Sequence, residues 1–153
     1  MYAKHEPHGL YLEDYEIGKE YVSQNRTITE ADVVNFAGLS GDFNPLHMDE
    51  VSAKEGIFGT RIAHGALGFI VSTGLSNMMG IAEGTTIAFL ECTVKYPAPL
   101  KIGDTVRVII TPTEVKHSSK PGKGVLTQNV KLVNQDDVVV MESDQKIMVK
   151  SRV

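Results

Sequence analysis

The sequence predicts one α+β domain, and three observations carry that prediction. Helical patterning and turn signals fill most of the stretch from Thr29 to Met79. Four runs of β-forming residues, separated by turns, fill the remainder. Between the two lies Gly65 to Met79, a helical stretch with apolar residues around nearly its whole circumference and neither carboxylate nor lysine. Helices followed by a run of strands give an antiparallel sheet with the helices segregated against it. A helix apolar all round needs cover on every side, and the simplest cover is the sheet curved around it. The 153 residues suit a single domain, 1–153, with the polar residues 1–9 as a loose lead-in.

Each element has its own reason. Glu20 to Ile28 alternates weakly and reads as a first strand. Thr29 is placed to cap a helix from Thr29 to Leu39. Glu30 and Asp32 stand near its positive end, and Val33, Val34, Phe36, Ala37 and Leu39 recur at helical spacing. A second short helix fits Asp49 to Glu55, and Ile57 to His64 reads as a loop. Gly68 and Gly74 weaken the central helix, which points to close approach of a neighbour. The later strands fall at Thr85–Tyr96, Asp104–Val115, Gly124–Val133 and Val138–Val149, with turns at 118–124 and Asp136-Asp137 between them.

Composition excludes several classes. A net charge of −4 argues against a general nucleic-acid binder, which would present a basic face. No basic-then-apolar leader opens the sequence, and no apolar run is long enough to span a bilayer. With one cysteine, Cys92, no internal disulfide can form, which fits a cytoplasmic protein. Cys92 lies in a strand-like run and reads as a buried, inert thiol. His5 and His8 have metal-ligand spacing, but Pro7 lies between them and no further ligand follows, so no metal set is expected.

The chemistry-bearing stretch is Ser40-Gly41-Asp42-Phe43-Asn44-Pro45-Leu46-His47. Asp42 and His47 are five positions apart, too far to share one face of a regular helix. Gly41-Asp42 and Asn44-Pro45 are turn signals, and Pro45 pushes Asn44 away from helical geometry. A sharp bend could turn both side chains toward one water, a common plan for acid–base catalysis. On spacing alone, a loop whose Asp and Asn bond their own turn is the plainer reading.

The flanking residues go further. Thr29-Glu30-Ala31-Asp32-Val33, Phe36-Ala37, the 40–47 stretch and Phe58-Gly59-Thr60-Arg61-Ile62-Ala63-His64-Gly65 resemble, in that order, the MaoC-like dehydratases. These are the (R)-specific enoyl-CoA hydratases of the hot-dog fold, and the resemblance runs from about Tyr11 to Pro99. It implies a long central helix wrapped by a curved antiparallel sheet, usually in a dimer or larger homo-oligomer. It implies that Asp42 and His47 are the catalytic pair, that the Gly65 amide binds the thioester oxygen, and that the reaction is hydration of a trans-2-enoyl thioester. The substrate would be an acyl-CoA or acyl-carrier thioester, with no cofactor beyond the coenzyme A of the substrate, no nucleic acid and no membrane.

Supporting roles are expected for Asn44, in fixing the bend, and for Thr73, which falls where the family often has a Ser. Ser72 is an adjacent alternative to Thr73. His64 reads as a packed or anchoring histidine, and Lys120 and Lys123 as turn lysines that could also meet phosphates. Two other functions fit the same fold: an acyl-CoA thioesterase, and a non-catalytic acyl-thioester-binding module. Thioesterases often carry an acid on the central helix, and Gly65–Met79 has none.

Overall fold

The computed structural model describes residues 6–153. After a single 3-10 turn at Leu12–Asp14 come β1 (Tyr21–Val22), β2 (Arg26–Thr27), α1 (Glu30–Ser40), α2 (Pro45–Met48), α3 (Glu50–Lys54) and α4 (Gly65–Met78). The long strands follow: β3 (Thr86–Lys95), β4 (Thr105–His117), β5 (Lys123–Val133) and β6 (Val139–Lys150). They form an antiparallel sheet in the order β1-β4-β5-β6-β3, with β2 also on β4. This is the hot-dog arrangement: the sheet curves against α4, and the chain between β2 and α4 forms an apron at one end.

The core lies between α4 and the sheet. Leu67, Val71 and Leu75 meet Val106, Val108 and Ile110 of β4, Val130 and Leu132 of β5, and Val140 and Met141 of β6. β4 and β5 alternate buried and part-buried positions along most of their length, as strands with one face on a core must. Complete burial of a side chain such as Leu75 or Val108 stabilises the fold by about 1.5–3 kcal/mol. Among the described residues no helix is long and apolar enough to cross a membrane.

Several expectations are corrected. The first strand is two short ones, because Ser23 interrupts it: its hydroxyl, rather than a backbone carbonyl, accepts from the Val108 amide at 2.8 Å. The 40–47 bend ends in a helical turn, since Asn44 caps α2 and Pro45 takes its first position, where no amide hydrogen is needed. α4 is not covered all round. Ala66, Ile70, Thr73, Gly74, Asn77 and Met78 form an exposed face, because the sheet of one chain reaches only one side of the helix. Gly68 does let a neighbour close in, with Leu100 beside it, whereas nothing approaches Gly74.

Cys92 is exposed rather than buried, since it lies on the edge strand β3, most of whose residues are exposed. Of the lead-in, residues 1–5, with His5, lie outside the described residues. Its end is docked rather than loose: the Gly9 amide donates to Glu83 O at 2.9 Å, and the glycine itself is buried.

Candidate active site

Three segments meet at the N-terminal end of α4. α1 supplies the first. Thr29 and Asp32 form its capping box, and Gly41, in the left-handed region at φ 77°, ends it and turns the chain into Asp42. The second is the turn itself. The Asn44 amide donates to Asp42 Oδ1 at 3.2 Å, and Asn44 Oδ1 accepts from the Leu46 amide at 3.0 Å. The third is the loop into α4, ending in His64 and Gly65.

One guanidinium ties the loop into α4 to α1 and α3. Arg61 donates two parallel hydrogen bonds to Glu30 on α1, at 2.7 and 2.8 Å, and its Nε–H donates to Glu50 on α3 at 3.0 Å. Glu50 also accepts from the Arg61 amide and the Thr60 hydroxyl. The bonds from Arg61 hold both carboxyls below their ordinary values and raise that of Arg61 itself.

His47 is nearly buried, and its Nδ1 lies 2.7 Å from Ile62 O. A carbonyl only accepts, so Nδ1 carries the hydrogen and Nε2 of the neutral ring keeps a lone pair. The Asp42 carboxylate, the His47 ring and the His64 ring offer polar atoms that all lie within 4.8 Å of one another. The bend therefore brings Asp42 and His47 to one place, with Asp42 on the solvent side.

Such a trio could be read as a metal site, but its geometry suits proton transfer better. The rings of His47 and His64 are stacked, with centroids 3.8 Å apart and planes only 29° apart. Ring lone pairs lie in the ring plane, and two stacked planes do not converge on one ion at bonding distance.

A cavity of about 310 Å³ opens beside His47. Its wall includes Gly65, Gly68 and Tyr96, and its depth closes on Leu132, Val140 and Met141. Gly65 is the first residue of α4, and the cap residue His64 contributes no side-chain cap. The first amides of a helix have no intrahelical acceptor, and they lie at the positive end of its dipole. A side chain at Gly65 would not fit, because a Cβ there would stand 2.9 Å from Tyr96 Cζ. Burial, followed by the nearby Cys92, raises the Tyr96 phenol above its ordinary value.

Sequence reasoning thus located Asp42, His47, Asn44 and Gly65 at one end of α4. Thr73 stands two turns farther along, exposed, with its hydroxyl donating to Ile70 O at 2.7 Å. Ser72 is buried and donates to Phe69 O. Lys120 and Lys123 sit at the β4–β5 hairpin, by His117, and line no part of this cavity. Tyr96 and Arg61 were missed as contributors. For Arg61 the motif carried a signal, the one guanidinium of a mostly apolar loop; for Tyr96 nothing local distinguishes it from a strand-end aromatic.

Comparisons with known proteins place the chain in a family. The family model of the MaoC-like domain matches residues 14–134. The (R)-specific enoyl-CoA hydratase of Rhodospirillum rubrum is 37% identical over 145 residues, which are 93% of this chain and 93% of that protein. Protein MaoC of Klebsiella aerogenes is 38% identical over 111 residues, 69% of this chain but 31% of that protein, so this chain spans about a third of its length. Among solved structures, the monoamine oxidase regulatory protein of Archaeoglobus fulgidus superposes with a TM-score of 0.87 at 30% identity, covering 95% of this chain and 97% of that one. With the family model spanning most of the chain and a relative aligned end to end, this chain belongs to the MaoC-like dehydratases.

Proposed function

We propose that this chain is a hydro-lyase that adds water to a trans-2-enoyl-CoA to give the (R)-3-hydroxyacyl-CoA, and runs the dehydration in reverse. The observation that carries the reading is the meeting of Asp42, His47 and the free end of α4 beside one apolar cavity. The full-length relative from Rhodospirillum rubrum, an (R)-specific enoyl-CoA hydratase, supports it.

In this reading Asp42 and His47 hold one water. As its oxygen attacks the β-carbon, the pair withdraws a proton, and the Nε2 lone pair of His47 is positioned for that task. Charge moves to the thioester oxygen, where the Gly65 N–H stabilises it. The pair then returns one proton to the α-carbon. Asn44 serves indirectly, by capping the turn that aims both groups. No cofactor is needed beyond the coenzyme A that carries the substrate, and a cytoplasmic location fits that substrate. A cavity of about 310 Å³ is at the small end for ligand sites, which favours a short acyl chain.

The working unit in this reading is a homodimer. β3 is an edge strand with Ile87, Phe89 and Leu90 about half exposed, and the outer face of α4 beside it is also bare. Such an edge invites pairing with a second copy. Sedimentation at micromolar concentration would show twice the chain mass; a monomer would reject this part.

The test of the reaction is crotonyl-CoA hydration, followed by loss of the conjugated absorbance with chiral analysis of the product. The (R) product without release of thiol is expected. An (S) product, or thiol release without hydration, would overturn the reading in favour of other chemistry. The regulatory description of the Archaeoglobus neighbour points to a second possibility, a binding module without turnover. Binding of crotonyl-CoA without any conversion would favour that one.

A further inference from the structure

His64 lines no part of the cavity, yet it joins the segments that carry the groups the proposed reaction uses. It is 2% exposed. Its Nε2 lies 2.9 Å from the backbone carbonyl of Asp42, its ring stacks on that of His47, and its own carbonyl carbon is bonded to the Gly65 nitrogen. Phe36 of α1 closes the far side, with ring centroids 4.8 Å apart. Because a carbonyl only accepts, the Nε2 carries the hydrogen. Nδ1 is then a buried acceptor, and among the described residues no hydrogen-bond partner reaches it.

That orphan decides between two accounts of His64. Filling the space would be better done by phenylalanine or leucine, which leave nothing unpaired. Leaving a buried polar atom unsatisfied is costly, and such atoms need an explanation. Here the compensation is the other nitrogen, whose hydrogen bond ties the Asp42 backbone to the start of α4.

We propose that His64 is a positioning residue for the hydration reaction: through its Nε2–H and its stacked ring it holds the Asp42 backbone and the His47 ring in register with the Gly65 amide. This rests on the reading above, in which Asp42 and His47 handle the water. It predicts an effect on turnover rather than on substrate binding, because His64 does not face the cavity.

The variants separate the ring from its hydrogen bond. His64→Phe keeps a stacked ring and loses the donor; His64→Gln keeps a donor and loses the ring. With crotonyl-CoA, His64→Phe should lower kcat by about 100-fold, the scale of a misplacement of about 1 Å, with KM within about twofold. His64→Gln should recover part of that loss. If His64 acts through Asp42, adding His64→Phe to Asp42→Asn should slow the enzyme little further. A folded His64→Phe enzyme with wild-type kcat, or fully multiplicative losses in the double variant, would overturn the proposal.

The nitrogen-15 NMR spectrum of the ring in the unmodified protein keeps the test open if the variants do not fold. The Nε2 signal should be that of a nitrogen carrying hydrogen, because Nε2 faces the Asp42 carbonyl. A ring whose Nε2 carries no hydrogen would overturn the assignment. An unmodified protein inactive on crotonyl-CoA would instead remove the proposed reaction, while this spectrum would still report on the His64 ring.

Discussion

The two halves of α4 carry similar polar chemistry and use it in opposite ways. At the N-terminal end the polar groups are left with work to do. The first amides have no side-chain cap, His47 lines the cavity with only its Nδ1 bonded to Ile62 O, and the Asp42 carboxylate stands close by. In the C-terminal half the hydroxyls are already engaged. Ser72, Thr73 and Ser76 each donate at 2.7 Å to a carbonyl three or four residues back on the same helix. A second cavity of about 150 Å³ lies there, and its buried amides, Gln128 and Gln145, bond each other at 3.2 Å. A site forms where the backbone leaves groups unpaired beside an opening, and the mere presence of polar residues near a cavity does not make one.

The sharpest way to break this contrast is to disable the acid–base pair. Asp42→Asn and His47→Gln each remove a proton-transfer group while keeping the shape. Turnover on crotonyl-CoA should fall by about 10²–10⁴-fold in each. Circular dichroism should be unchanged, because Asp42 is exposed and the Asn side chain can still accept from the Asn44 amide. Activity within a few-fold of wild type in both would mean that the N-terminal end is no more catalytic than the other.

Gly65→Ala comes next. The amide remains, but the new Cβ meets the Tyr96 ring, and the first turn of α4 or the ring must shift. Loss of one oxyanion donor costs about 10²–10³ in turnover, so a drop of about 100-fold is expected. Adding Tyr96→Leu removes the obstruction and should restore part of kcat. No recovery would show that the glycine matters for some other reason than closeness to the ring.

These two predictions concern residues that were legible in the sequence, and the reason is local. Asn44-Pro45 and Gly41 set their turn through their own backbone limits, and Asp42 and His47 are delivered by that turn. The apolar stretch from Gly65 and the β-rich second half likewise announced a helix and a sheet. What was not legible depended on distant partners. Cys92 lies in a β-forming run and the outer face of α4 in an apolar one, but whether they are covered is decided by how far one sheet reaches around one helix. The break at Ser23 needs Val108, 85 residues away, and the crowding at Gly65 needs Tyr96.

Arg61 sharpens the comparison through pH. Its bonds hold the Glu30 and Glu50 carboxyls below their ordinary value. A depressed carboxyl contributes stability that is complete above its unfolded value and is lost as pH falls through its folded value. Wild-type protein should therefore lose thermal stability below about pH 4.5, on acid titration of these two groups. Arg61→Gln should lower the melting temperature at pH 7 and flatten that part of the acid dependence. The effect should be modest, because both carboxyls are partly exposed and screened by solvent. Parallel curves for the two proteins would show that the clamp contributes nothing to holding the apron.

The smallest effect is expected at Thr73. Its hydroxyl is exposed and satisfied by Ile70 O, and the C-terminal half of α4 offers it no catalytic neighbour within the chain. Thr73→Val keeps the shape and removes only that bond. Surface changes of this kind fall within about 0.5 kcal/mol, so kcat should stay within about threefold of wild type. A tenfold loss with an unchanged melting temperature would be the informative exception. It would mean that the hydroxyl acts on a site supplied by another copy of the chain, across the bare face of α4. The contrast between the two halves of the helix would then hold within one chain and vanish in the assembly.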